Sequence, residues 1–345
     1  MGPFSHTIDP DGDLIIILRS ANSPFALAVG EKGPSIPDKA ANNEGVTDKN
    51  DIDEANAEEQ AMRRDEIRFI VSGKHMIFAS RFFKKALTGV WKEGVAFLQK
   101  DSVEIMAEGW DPEALLIVIR AIHCQFTQIP RKVTLEMLAK IAVIADYYDC
   151  RDVLYLMKDI WIGSLNEKLT TPYPRELILW VWVSWFFQLP AHFTESTLAA
   201  ILRTIGPING RGLPIPDRVI RSINKTREEA IKNVLQLLHK TREAFLNEDK
   251  GCGYECRSIM NGALAMQIRS SPHLSTMPKA PFRWLSYEIL KENVLSFKSP
   301  RWFELQISRG AGSYRHGCPD SCFDSLFAVL NDPIKGLNIG EFGIT

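Results

Sequence analysis

The chain has almost no net charge. Its 41 Lys and Arg stand against 42 Asp and Glu, a formal −1 at pH 7, so it lacks the positive field that holds phosphate backbones or an anionic membrane. No nucleic-acid or membrane partner is expected. It also has no apolar run of spanning length. The nearest, residues 177–189, contains Trp180, Trp182, Trp185, Phe186 and Phe187 but is interrupted by Ser184 and Gln188 and stopped by Pro190, short of the ~20 apolar residues a spanning helix needs. No Lys or Arg face accompanies those aromatics, so the run reads as a helix buried on most sides, implying a second core rather than an interfacial membrane helix. Residues 1–10 show no basic stretch followed by an apolar one, so no secretory signal is expected and the compartment reads as cytoplasm or nucleus. There, six Cys are expected to be reduced thiols or metal ligands rather than disulfides.

The common catalytic signatures are missing as well. There is no G-x-G-x-x-G, no Walker lysine loop, no H-E-x-x-H and no G-x-S-x-G elbow, so nucleotide, zinc-protease and serine-hydrolase chemistry lack their anchors. Ser72-Gly73-Lys74 does not have the glycine spacing of a phosphate loop. His75 has no acid or nucleophile partnered to it in sequence and reads as a structural histidine at a strand end rather than a catalytic base. Asn224-Lys225-Thr226 matches the glycosylation sequon, yet it falls mid-helix and is expected to be unused.

What is present is an ordered sequence of elements. At 345 residues the prior is two domains, or one with a long annex. After the turn signal Asp9-Pro10-Asp11-Gly12-Asp13, the run Leu14-Ile15-Ile16-Ile17-Leu18 predicts a central strand covered on both faces, with residues 24–29 returning antiparallel. Composition then shifts. Residues 31–62 hold no aromatic residue and nine acidic against three basic residues, which predicts a disordered acidic loop inserted into the domain. Order resumes with a strand over 66–71. A helix capped by Ser80 and carrying Phe82, Phe83, Ala86 and Leu87 follows, then a brief strand over 103–105. Asp111-Pro112 caps and starts a helix with Leu115, Leu116, Ile119 and Ile122 on one face, and Thr134 starts another with Leu135, Leu138, Ala142 and Ala145. Further helices are predicted over 151–162, 175–189, 195–204 and 217–246. In the last, Ile220, Ile223, Ile231, Val234, Leu238 and Phe245 make an apolar stripe with a gap at Arg227. That stripe suits packing within the chain, and a coiled coil is its alternative.

One constellation carries chemistry. Cys252 and Cys256 are separated by three residues near a helix start, and His316, Cys318 and Cys322 form a second cluster. Two close donor pairs from distant segments are what a closed tetrahedral zinc site needs, and four protein ligands would make it structural. The set predicted is Cys252, Cys256, His316 and Cys318, with Cys322 the alternate fourth ligand. Small buried thiols in a helical core are the competing reading.

Four stretches in order resemble the BTB/POZ domain. They are Asp11-Gly12-Asp13-Leu14-Ile15-Ile16, then Phe69-Ile70-Val71-Ser72-Gly73-Lys74-His75-Met76-Ile77-Phe78-Ala79-Ser80-Arg81-Phe82-Phe83 with its S-x-x-F, then Asp111-Pro112-Glu113-Ala114-Leu115-Leu116, and Leu138-Ala139-Lys140-Ile141-Ala142-Val143-Ile144-Ala145-Asp146-Tyr147-Tyr148. The resemblance covers residues 8–165, and the whole chain is similar to the BTB-containing proteins numerous in filamentous fungi. It implies a protein–protein interaction module, often a homodimer or a substrate adaptor for cullin ubiquitin ligases. Trp91-Lys92-Glu93 resembles the hydrophobic-x-glutamate motif of the adaptor members, which makes Trp91 and Glu93 candidate partner-binding residues. Only seven residues precede Ile8, so the N-terminal helix through which many such domains dimerise is expected to be missing.

The combined expectation is an α+β BTB/POZ fold over 8–165 followed by an all-helical domain over 172–345. The chain is expected to be non-catalytic, an adaptor in a ubiquitin ligase complex whose helical half recruits a client. A BTB-type transcriptional co-regulator is the alternative, and an enzyme with a site near His239, Cys252 and His316 the remaining one. No cofactor beyond structural zinc is expected.

Overall fold

The computed structural model describes residues 4–27, 66–88, 102–165, 174–306 and 312–343. The acidic segment 31–62 and residues Trp91 and Glu93 lie outside them. The protein is mixed α+β and divides into two compact units, Met1–Leu189 with Gly210–Pro214, and Pro190–Asn209 with Ile215–Thr345.

The first unit is built on a four-stranded sheet in the order β1-β3-β2-β4. Strand β2 (Leu14–Arg19) is internal. It pairs antiparallel with β3 (Ile67–Val71), Ile16 opposite Phe69, and parallel with β4 (Val103–Glu108), Ile16 opposite Ile105. An inner strand covered on both faces needs apolar residues in succession, and Leu14, Ile16, Ile17 and Leu18 are all buried. On β4, Val103, Ile105 and Ala107 are buried while Glu104, Met106 and Glu108 are exposed, the alternation of a sheet edge with one wet face. Strand β1 (Phe4–Thr7) lies parallel to β3 and was not anticipated. The antiparallel partner of β2 is β3, not residues 24–29, of which 24–27 form no strand.

Helices α1 (Gly73–Ala79) and α2 (Arg81–Thr88) follow β3 without a break in described structure. Asp111 caps α3 (Pro112–Ile122) by accepting the N–H groups of Glu113 and Ala114, and Thr134 caps α4 (Leu135–Tyr147) through Met137. A 3-10 turn at Arg151–Leu154 leads into α5 (Tyr155–Ser164). The tryptophan-rich helix, α6 (Pro174–Phe186), is buried as expected, but against α4 in this same unit, where Trp182 Nε1 donates to the Ala139 carbonyl at 3.2 Å. It founds no second core. The compact division therefore falls after Leu189 rather than between 165 and 172.

The second unit is organised around α8 (Asp217–Leu246), which packs against α7 (Pro190–Arg203), α9 (Tyr254–Ser270) and α10 (Tyr287–Leu295). Its buried stripe is Val219, Ile223, Arg227, Ile231, Val234, Leu238, Thr241 and Phe245. The gap read at Arg227 is filled by that residue itself, fully buried. Asn224, the sequon residue, clamps Ile208 by accepting its N–H and donating to its carbonyl, at 2.8 and 2.9 Å. This unit is not all-helical. An antiparallel hairpin of β5 (Phe303–Gln306) and β6 (Gly312–Arg315) precedes the short α11 (Phe323–Leu326). Four-residue strands are too short to show a period in sequence. Among the described residues no helix is long and apolar enough to cross a membrane.

Candidate metal centre

Two loops of the second unit bring four donor side chains together. The first joins α8 to α9 and carries Cys252 two residues before the helix, while Cys256 occupies the third position of α9. The second leaves the β5–β6 hairpin at Arg315 and carries His316 and Cys318. The sequence dictates the first loop locally. Gly251 has φ +91°, and a Cβ there would lie 2.7 Å from Arg257 Cγ, so only glycine lets the chain turn back onto the helix start. Asp320 then fastens the loops, accepting the Gly251 N–H at 2.9 Å and pairing with Lys250 at 3.2 Å. Those bonds hold the Asp320 carboxyl below its ordinary value, the Gly251 N–H contributing most.

The four donor atoms all lie within 4.8 Å of one another. Cys252 Sγ is 3.6 Å from His316 Nε2, and Cys256 Sγ is 3.6 Å from Cys318 Sγ. With Zn–S near 2.3 Å and Zn–N near 2.0–2.1 Å, tetrahedral ligands stand about 3.8 Å apart for two sulfurs and about 3.5 Å for a sulfur and a nitrogen. The cluster could hold a metal ion.

Its surroundings prepare the donors. The His316 ring stacks on Trp302 at 4.4 Å between centroids, and its backbone N–H donates to the Trp302 carbonyl at 3.0 Å, which fixes the imidazole. Burial raises the Cys318 thiol, but hydrogen bonds from His316, Cys256, the Asp320 N–H and Cys252 outweigh it and bring the thiol down to about 7. Burial pushes the Cys256 thiol up to about 12, despite the N–H that the Cys252 backbone directs at it. Cys318 is thus the thiol of the cluster whose hold on its proton is weakened, with three further donors facing it. A cation would displace the protons of the others.

The sequence predicted this set, and the structure assembles it across more than sixty residues of chain. Cys322 stands outside the cluster. The segment after Cys318 is a single 3-10 turn, and Cys322 Sγ faces Ser299 Oγ and Asp324 Oδ2, each at 3.8 Å. His239 lies on an exposed face of α8 beside Glu243 and is not part of the cluster. What sequence reasoning missed is the support, Asp320, Lys250 and Trp302. A glycine beside the first cysteine and an acid two residues after the last thiol were the only signals.

Elsewhere, His75 falls within α1 rather than at a strand end and stacks on His123 at 5.0 Å. A cavity of about 700 Å³ in the first unit is lined by Phe25, Trp110, Asp111, Glu136 and Lys140 among others. Two of its acids have structural duties: Asp111 caps α3, and both it and Glu136 pair with Lys140. No protein family, curated protein or solved structure matches this chain.

Proposed function

We propose that this chain is a non-catalytic protein–protein interaction protein, with a BTB/POZ-like first unit and a second unit closed around a structural zinc ion. One observation carries the first half of that reading. The two most characteristic stretches of the resemblance, S-x-x-F and A-D-Y-Y, pack on each other. Ser80 Oγ caps α2 by accepting the Phe83 N–H and donates to the Tyr148 carbonyl, while the Phe83 ring stacks on Tyr148 at 5.0 Å. The order of a strand, its antiparallel partner, a Ser-capped helix, a strand and two amphipathic helices supports it further.

The donor set favours zinc. Three thiols and an imidazole suit a borderline-soft ion that accepts tetrahedral sites, whereas calcium and magnesium require oxygen. Cys252, Cys256, His316 and Cys318 would hold it. Four protein ligands leave no position for substrate, so its contribution is to folding.

Within the interaction class, the role proposed is a cullin-type adaptor, resting on Trp91 and Glu93 in the sequence. The test is co-purification of a cullin, or of a second tagged copy, with the full chain and with the Trp91→Ala, Glu93→Ala double variant. Cullin bound by the wild type and lost in the folded double variant is expected. No cullin with the wild type, or undiminished cullin with the variant, would overturn the adaptor role. A second copy bound in its place would assign the first unit to self-association.

A further inference from the structure

On the second unit, Trp284 is 81% exposed, and its φ of 70° places it in the left-handed region, where a bulky side chain is a true outlier. Phe282, two residues earlier, is left-handed too, at φ 52°, yet buried. The loop turns one ring into the core and holds the other out.

What fixes it there lies underneath. Buried Arg227 donates Nε to the Thr204 carbonyl at 3.0 Å, Nη1 to Pro281 at 3.1 Å, and Nη2 to Phe282 at 2.8 Å and Leu285 at 2.5 Å. The Trp284 N–H donates to the Ile205 carbonyl at 2.6 Å, and the Phe282 N–H closes a turn onto Lys279 at 2.8 Å. An exposed tryptophan on a slack loop would lose much of its binding energy to ordering, whereas one held by its neighbours on both sides has that cost already met. Strained backbone that a surrounding network sustains is concentrated at ligand clamps, and tryptophan is among the residues most enriched as interface anchors.

The neighbourhood adds apolar surface and charge of one sign. Ile205 and Met277 are exposed as well. No Asp or Glu occurs in sequence between Glu255 and Glu288, and the loop before Trp284 carries Lys279 and Arg283. Lys279 and Arg283 are exposed and form no ion pair among the described residues, while Glu288 is engaged by Arg203 at 3.7 Å.

We propose that Trp284, Lys279 and Arg283 form a docking site for an acidic peptide segment of a partner protein. The indole receives an apolar side chain of the peptide, and the two cations receive carboxylates flanking it. This assignment is independent of the BTB reading.

The test is fluorescence anisotropy of the full chain with a set of labelled short peptides, each with one Leu or Phe anchor among Asp and Glu residues. Controls are the same peptides with Asn and Gln for the acids, and a labelled single-stranded oligonucleotide. Acidic peptides should bind, more weakly as salt rises. Trp284→Ala should weaken them about tenfold or more with an unchanged thermal midpoint, because the ring contributes at the interface and not to the core. Lys279→Glu with Arg283→Glu should abolish binding. Failure of every acidic peptide to bind, or equal binding by Trp284→Ala, overturns the proposal. So does a preference for the neutral peptides or the oligonucleotide. Self-association of the wild type that Trp284→Ala abolishes would give the face to a second copy instead, and also overturns it.

Discussion

The hydroxyl of Ser80 donates to the carbonyl of Tyr148, 68 residues further along the chain. Because it also accepts the Phe83 N–H, one atom both caps α2 and fastens it to the end of α4. Phe83, fully buried, stacks on the Tyr148 ring. Phe83→Ala should therefore cost about 3–5 kcal/mol, and Ser80→Ala about 1–3 kcal/mol, since a buried carbonyl loses its donor. Urea unfolding measures both. A loss under about 1 kcal/mol for Phe83→Ala would mean that the ring does not belong to the core.

His123 should make the first unit sensitive to mild acid. Its Nε2 accepts the Ser72 N–H at 3.0 Å, so Nδ1 carries the proton given to the Ile119 carbonyl and the ring must be neutral. Burial, aided by nearby His75, lowers its pKa below 6.5 against the pull of the Ile119 carbonyl and Asp9. The unfolded chain then binds the proton more tightly than the folded one. The stabilisation is complete above pH 6.5 and is lost as pH falls through the folded-state value. His6 shifts the same way, so the decisive quantity is the difference between wild type and His123→Gln. The variant should show a flatter fall in urea midpoint below pH 6.5, and parallel curves would contradict the assignment.

Arg227 is a buried cation held by carbonyls alone, with bonds to four of them. Arg227→Met should destabilise the second unit by at least about 3 kcal/mol, because each carbonyl left unsatisfied in a dry interior costs about 1–3 kcal/mol. Arg227→Lys should recover only part of that, since an ammonium cannot reproduce the planar fork. Calorimetry separates the three proteins, and wild-type stability in Arg227→Met would show that water replaces the guanidinium at no cost.

Much of the first unit was legible in the sequence because its signals are local. Ser80, Asp111 and Thr134 cap the helices they were expected to cap, and the run Leu14–Leu18 is continuous because β2 is internal. Partnership was less legible. Nothing in residues 174–186 says that their tryptophans lie against Ala139 rather than in a separate core. A charge read as a break in a stripe, Arg227, turns out to be part of it, since its bonds go to loops far away in sequence. The four clustered donors were legible by donor type and pairing. Cys322 was misplaced because its side depends on whether one turn is α or 3-10, a distinction that composition does not make.

The ligand set can be separated residue by residue. Cys256→Ser should lose metal and loosen the second unit, and Cys322→Ser should keep both, because its sulfur faces Ser299 and Asp324. A chelator should raise amide exchange in residues 250–257 and 315–322 while leaving β2 and β3 of the first unit protected. Metal loss on Cys322→Ser would restore the alternate ligand.

The most direct measurement is the metal content of the chain purified without metal-affinity resin, by elemental analysis across the first-row metals. Four donors within 4.8 Å of one another predict zinc at close to one ion per chain, falling to background in Cys252→Ser with Cys256→Ser. Zinc near zero in the wild type, or the same zinc in that double variant, would contradict the account.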